Sequence, residues 1–105
     1  MNDQDFEGFV RDGWDREGSC EPFRSLFIMA TGLAGEAGEV CDILKKHVRD
    51  TPLDHNELCL ELGDVLHYVT RIAQEFGLTL GEIKERNTLK LIARRKEKAH
   101  VNRKL

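Results

Sequence analysis

At 105 residues the chain is one domain, long enough to fold alone around a modest core. Charged residues reach 33% and aromatics only 7%, a balance that suits helices and disfavours a β-sandwich. The net charge of −3 conceals a division: Lys84 to Leu105 carries nine Lys/Arg against two Glu, a net +7, and the remainder seven Lys/Arg against seventeen Asp/Glu, a net −10.

The first predicted helix covers residues 3–15, with Phe6, Phe9, Val10 and Trp14 at helical spacing, and Gly18 and Ser19 interrupt it. The second runs from Pro22, in a first-turn position, to Arg49. Its apolar stripe is Phe23, Leu26, Phe27, Ala30, Leu33, Ala37, Val40, Leu44 and Val48. The third starts after Asp54, which with Glu57 makes a capping-box-like signal. Its stripe is Leu58, Leu62, Val65, Leu66, Val69, Ile72, Ala73 and Phe76, and Gly77 ends it. The fourth begins at Thr79, again with a glutamate (Glu82) three residues on, and continues into the basic end. No β-hairpin signal occurs. The expected fold is all-α, a four-helix bundle in a single domain over 1–105.

No run of about eighteen apolar residues exists, and no basic-then-apolar segment opens the sequence, so neither a membrane span nor a leader is expected. Cys20, Cys41 and Cys59 are odd in number and form no C-x-x-C pair, which fits a reduced, cytoplasmic setting. Cys41 and Cys59 stand among apolar neighbours and read as small core residues.

Two stretches answer each other: Leu33-Ala-Gly-Glu-Ala-Gly-Glu-Val40 and Leu58-Cys-Leu-Glu-Leu-Gly-Asp-Val65. Shifted by 25 residues, they agree at Leu, acid, Gly, acid and Val. Residues three apart share a side of a helix, so Glu36 with Glu39, and Glu61 with Asp64, each present two carboxylates together. All four fall at the flank of an apolar stripe, where a side chain turns into the groove beside the core. A single E-x-x-E is ordinary surface charge; two in equivalent registers are not so easily dismissed. Two such helices packed antiparallel gather four carboxylates, which repel unless cations or protons neutralise them. That chemistry points to Mg²⁺ and phosphate substrates.

Gly32, Gly35 and Gly38 each cost a helix roughly 1 kcal/mol against alanine. They imply either a break near Gly32 or a close approach to the backbone. The equivalent places of Gly38 and Gly63, each just before the second acid of its pair, favour close approach. His67 follows Asp64 by three, as in di-iron bundles, but it points away from the stripe and has no counterpart on the second helix. His47, His55, His67 and His100 are read as structural or exposed. On the fourth helix Asn87, Lys90 and Arg94 lie within about 60° of one another, beside Ile83 and Leu91, and suit phosphate oxygens.

With these residues in view, the chain resembles the MazG-like all-α nucleoside triphosphate pyrophosphohydrolases. Its Glu36, Glu39, Glu61 and Asp64 match the E-x-x-E…E-x-x-D motif, and Asn87, Lys90, Leu91 and Arg94 match a trailing Asn…Lys-Leu…Arg pattern. The resemblance spans about residues 23–95.

The resemblance implies Mg²⁺-dependent hydrolysis of an NTP or dNTP between the α- and β-phosphates, with Mn²⁺ as a substitute, in nucleotide-pool house-cleaning. It implies that the four acids are the catalytic metal ligands, one acting as base toward water, and that Lys90 and Arg94 stabilise the leaving pyrophosphate. It also implies a homodimer or homotetramer, with a second subunit completing a pocket that so small a chain cannot enclose. Trp14, Phe23 and Phe27 are weak candidates for stacking on the base, since aromatics on a stripe are more often core. Narrower readings are a dUTP/dCTP-specific or a phosphoribosyl-ATP pyrophosphohydrolase. From another class, a helical nucleic-acid-binding or interaction module would use the basic fourth helix, but the acidic remainder opposes it.

Overall fold

The computed structural model describes residues 1–16 and 22–104. Among the described residues there are four helices: α1 (Asp3–Arg16), α2 (Pro22–Arg49), α3 (His55–Glu75) and α4 (Leu80–Lys104). No strand occurs among the described residues. The all-α expectation and the order of elements hold, while the interruption expected at Gly18 and Ser19, like Cys20, lies outside the described residues.

Local chemistry fixes the helix ends. Asn2 and Asp5 cap α1 reciprocally: Asp5 N–H donates to Asn2 Oδ1 (2.8 Å) and Asn2 N–H to Asp5 Oδ2 (3.1 Å). Asp54 Oδ1 accepts from Glu57 N–H at 3.1 Å to start α3, and Thr79 Oγ1 accepts from Glu82 N–H at 3.1 Å to start α4. Between them Gly77 takes a left-handed φ of 69°. Leu78 N–H then reaches back to Ala73 O (2.8 Å) and Gly77 N–H to Gln74 O (3.2 Å), so α3 closes in a Schellman turn.

α2 and α3 pack most extensively. Gly32 faces Tyr68, and Glu36 faces Glu61 and Asp64, so residue numbers fall along one helix as they rise along the other: the pair is an antiparallel hairpin. α1 lies over the last turns of α3. There Glu7 O accepts from Gln74 Nε2 (2.8 Å), and the Arg71 guanidinium sits 5.0 Å from the centre of the Trp14 ring. α4 docks on α1 through Leu80 N–H to Glu7 Oε2 (3.4 Å) and Lys84 to Asp3 (2.6 Å). The buried apolar residues Val10, Met29, Ala73 and Leu80 come one from each helix, with Ser25 and Thr70 buried beside them. The core therefore sits at the α1 end of the hairpin.

Much of the rest of the expected core stands open. Phe23 (77% exposed), Phe27, Leu44 and Val48 (86%) on α2 are exposed, as are Leu62 and Leu66 on α3 and Phe76 at its C-cap. Cys41 and Cys59 are likewise exposed, contrary to their reading as core residues. The reason is topological: α1 covers only part of the hairpin, and α4 packs on α1 rather than across α2 and α3. The Cα radius of gyration is 17.7 Å, against about 13 Å for a compact domain of this length.

The glycines divide cleanly. α2 continues unbroken through Gly32, where a Cβ would overlap the Tyr68 ring, so close approach is real at this position. At Gly38 and Gly63 a Cβ meets nothing within 4 Å, so the paired placement of these two reflects no close approach within the chain. Gly35 is equally open. Gly35→Ala should therefore stabilise by about 0.5–1 kcal/mol through helix propensity, whereas Gly32→Ala should destabilise by about 1–3 kcal/mol through overpacking. Urea denaturation of the two variants checks the opposite signs.

Candidate metal centre

Antiparallel packing of α2 on α3 carries the two acidic pairs to the same stretch of the groove. Carboxylate oxygens of Glu36, Glu61 and Asp64 come within 4.8 Å of one another. Glu36 and Glu61 are half-buried and Asp64 is exposed. Glu39 is exposed and outside this trio, but its charge bears on Glu61. One turn further along α2, Asp42 faces outward and is held by Lys46 (2.8 Å) and Lys45 (3.5 Å). These bonds, Lys46 first, keep its carboxyl below the usual range. Among the described residues the four motif acids have no such cation.

Glu61 is the focus of the strain. Removal from water raises its pKa first, then the proton-sharing contact with Glu36, then repulsion from Asp64, Glu36 and Glu39. Its Oε2 is shut off from solvent with no hydrogen-bond partner. An oxygen so placed fits a site built around a cation, and hard oxygen ligands of this kind suit Mg²⁺ or Mn²⁺. His67 stands outside this cluster, its ring roughly perpendicular to that of the adjoining Tyr68 with centroids 5.6 Å apart. His47 Nδ1 bonds Thr51 O at 2.9 Å, closing the turn after α2.

Asn87, Lys90 and Arg94 are all exposed on α4, and neither cation pairs with a carboxylate among the described residues. The chain does not bring them to the acids, because α4 packs on α1. Among the aromatic candidates, Trp14 is engaged by Arg71, while Phe23 and Phe27 remain open on α2. The buried residues Met29, Ser25 and Thr70 were not singled out by the apolar stripes. A polar residue gives no hydropathy signal for burial, although the Thr70 hydroxyl donates to Leu66 O (2.7 Å) and so is satisfied.

The described residues thus form an all-α protein with three carboxylates gathered between α2 and α3. The family model for the MazG nucleotide pyrophosphohydrolase domain matches residues 25–99. The Gene 37 protein of Mycobacterium phage L5 is 36% identical over 83 residues, covering 74% of this chain and 73% of that protein. No solved structure matches. The chain belongs to the MazG nucleotide pyrophosphohydrolase domain family. No helix among the described residues is long and apolar enough to cross a membrane.

The raised Glu61 pKa has a consequence for stability. In the metal-free protein the folded state retains a proton that the unfolded chain releases near its ordinary value of 4.5. Stability from this group is thus present at lower pH and lost as pH rises through the folded pKa. A divalent ion held by these carboxylates would take the proton's place, so Mg²⁺ or Mn²⁺ should raise Tm more at about pH 8 than at about pH 5, and Glu61→Gln should abolish the difference. Thermal scans with and without metal measure it.

Proposed function

We propose that residues 1–105 form one divalent-metal-dependent domain that hydrolyses nucleoside triphosphates between the α- and β-phosphates. Water adds at phosphorus, the anhydride bond breaks, and a nucleoside monophosphate and pyrophosphate leave. The observation that carries this reading is the meeting of Glu36, Glu61 and Asp64 in one groove, with a solvent-shielded Glu61 oxygen that lacks a partner. Membership of the MazG domain family supports the substrate class.

In this reading Glu36, Glu39, Glu61 and Asp64 hold Mg²⁺ or Mn²⁺. The bound ion supplies charge neutralisation at the phosphate oxygens and a more acidic water. One of the four carboxylates accepts the proton of the attacking water. Lys90 and Arg94 stabilise charge on the departing pyrophosphate, with Asn87 on the same face of α4 donating to phosphate oxygens. Phe23 and Phe27, exposed on α2, offer ring faces to a base. The working form is a homodimer or a larger homo-oligomer, which covers the apolar side chains left open along the hairpin. Nucleotide-pool house-cleaning in the cytoplasm is the role that suits such an activity.

Purified protein with Mg²⁺ and a panel of NTPs, dNTPs and phosphoribosyl-ATP should release monophosphate and pyrophosphate from some of them. Glu61→Gln and Glu36→Gln should each lower kcat/KM by about 10²-fold or more, beyond the 10–100-fold loss typical of outer-shell groups. Absence of cleavage with any substrate or metal would remove the enzymatic reading. Confinement to dUTP and dCTP, or to phosphoribosyl-ATP, would select a narrower one.

A further inference from the structure

The basic end of α4, beyond Arg94, has no part in the site described above. The first turn of α4 is tied down at Leu80 and Lys84, to Glu7 and Asp3 of α1. Along α1, contacts with α3 run from Trp14 opposite Arg71 to Glu7 opposite Gln74, and contacts with α4 continue from Glu7 to Asp3. α4 therefore passes the start of α1 at Lys84 and leaves in the direction in which α3 numbering rises, away from Glu61 and Asp64. Arg94 stands about 15 Å, and Arg103 about 28 Å, beyond Lys84 at 1.5 Å per residue. The longest dimension of the molecule, 57 Å, exceeds the roughly 42 Å length of α2, as such an arm requires.

Residues 95–105 carry five Lys/Arg against one Glu, a net +4. Arg95, Lys96, Lys98 and Arg103 are exposed, and none pairs with a carboxylate among the described residues. Lys90, Arg94 and Lys98 follow one another at four-residue spacing, so like charges are stacked along one side, which costs a helix stability. A bound polyanion would relieve that repulsion. The arrangement of side chains narrows the partner. Leu89, Ile92 and Val101 are exposed, but at 100° per residue Val101 falls about 180° round from Ile92, so no apolar face exists to lie on a membrane or another helix. The cations are likewise spread: Arg103 falls within about 20° of Lys96, and Lys98 about 160° round from both of them, to within that spread. A helix lying in the major groove of B-form DNA, about 12 Å wide, has a wall of phosphates on each flank and needs cations on opposite sides.

We propose that the last three turns of α4 form a sequence-independent docking arm for double-stranded DNA. Arg95, Lys96, Lys98 and Arg103 contact phosphates on the two sides of the groove, and no base is read. The remainder of the chain, at −10, repels DNA only over a screening length of about 8 Å at physiological salt. From Arg94 onward the arm is roughly two such lengths or more from its contact with α1. The cations of the arm all follow Lys90 and Arg94, so the proposal does not depend on the pyrophosphohydrolase reading.

Fluorescence anisotropy of a labelled 20-base-pair DNA of mixed sequence, titrated with the full chain, tests the arm. Four phosphate contacts predict a slope of log K against log salt of about −3.6, hence roughly 10²-fold weaker binding at 200 mM than at 50 mM salt. Arg95→Gln/Lys96→Gln/Lys98→Gln/Arg103→Gln should weaken binding at least about 10-fold and flatten the slope, with Tm and any nucleotide cleavage unchanged. The charge-preserving Lys96→Arg/Lys98→Arg should bind as wild type does. A duplex RNA of equal length, whose major groove is too narrow for a helix, should bind at least about 10-fold more weakly than DNA. No binding at 50 mM salt, a slope near zero, or wild-type affinity in the quadruple variant would overturn the arm. So would equal affinity for duplex RNA, for poly-glutamate or for phosphatidylserine vesicles, each of which would make the arm a general binder of anions.

Discussion

Tyr68 rests on bare backbone at Gly32, and that contact holds α2 and α3 close over the turns that follow. One turn along α2, Glu36 meets Glu61 and Asp64 as a result. A side chain at residue 32 would push the hairpin apart just where the carboxylates need to converge. The glycine thus converts a local loss of helix propensity into the spacing of a charged site four residues away. Everything proposed about chemistry depends on that spacing.

The groove is an unbalanced charge distribution held by apolar packing at one end only. Asp42, one turn beyond the motif, has Lys45 and Lys46 to neutralise it and is structurally at rest. Glu61 has none among the described residues, and burial and its acidic neighbours push it toward holding a proton. The contrast separates surface charge from site charge by surroundings rather than by residue type.

Much of this was legible in the sequence. Caps at Asp54 and Thr79, the stop at Gly77 and the all-α class follow from local rules that tertiary structure did not override. The repeated acidic pairs led to an expected gathering of four carboxylates, and three of them, Glu36, Glu61 and Asp64, meet while Glu39 stays outside. What was not legible was which apolar residues one chain would bury. Phe27, Leu44 and Leu66 lie on predicted stripes, yet a stripe records only that something covers it, not whose helix does so. The same blindness applies to Cys41 and Cys59, and to Asn87, Lys90 and Arg94, whose shared face said nothing of where α4 would travel. Gly32 was recognised as anomalous, but only the position of Tyr68 distinguishes it from Gly38 and Gly63.

Gly77 makes α4 a lever. Its left-handed backbone and the two bonds of the Schellman turn set the direction in which α4 departs, and only the first turn of the arm is otherwise tied. Arg94 lies about 21 Å beyond Leu80 along the helix, so a change of about 10° at the joint sweeps it through about 4 Å. That distance separates a hydrogen bond from none. The position of Lys90 and Arg94 is thus set partly at residues 76–79, well before either cation in the chain, and a substitution there would move both without changing their own side chains.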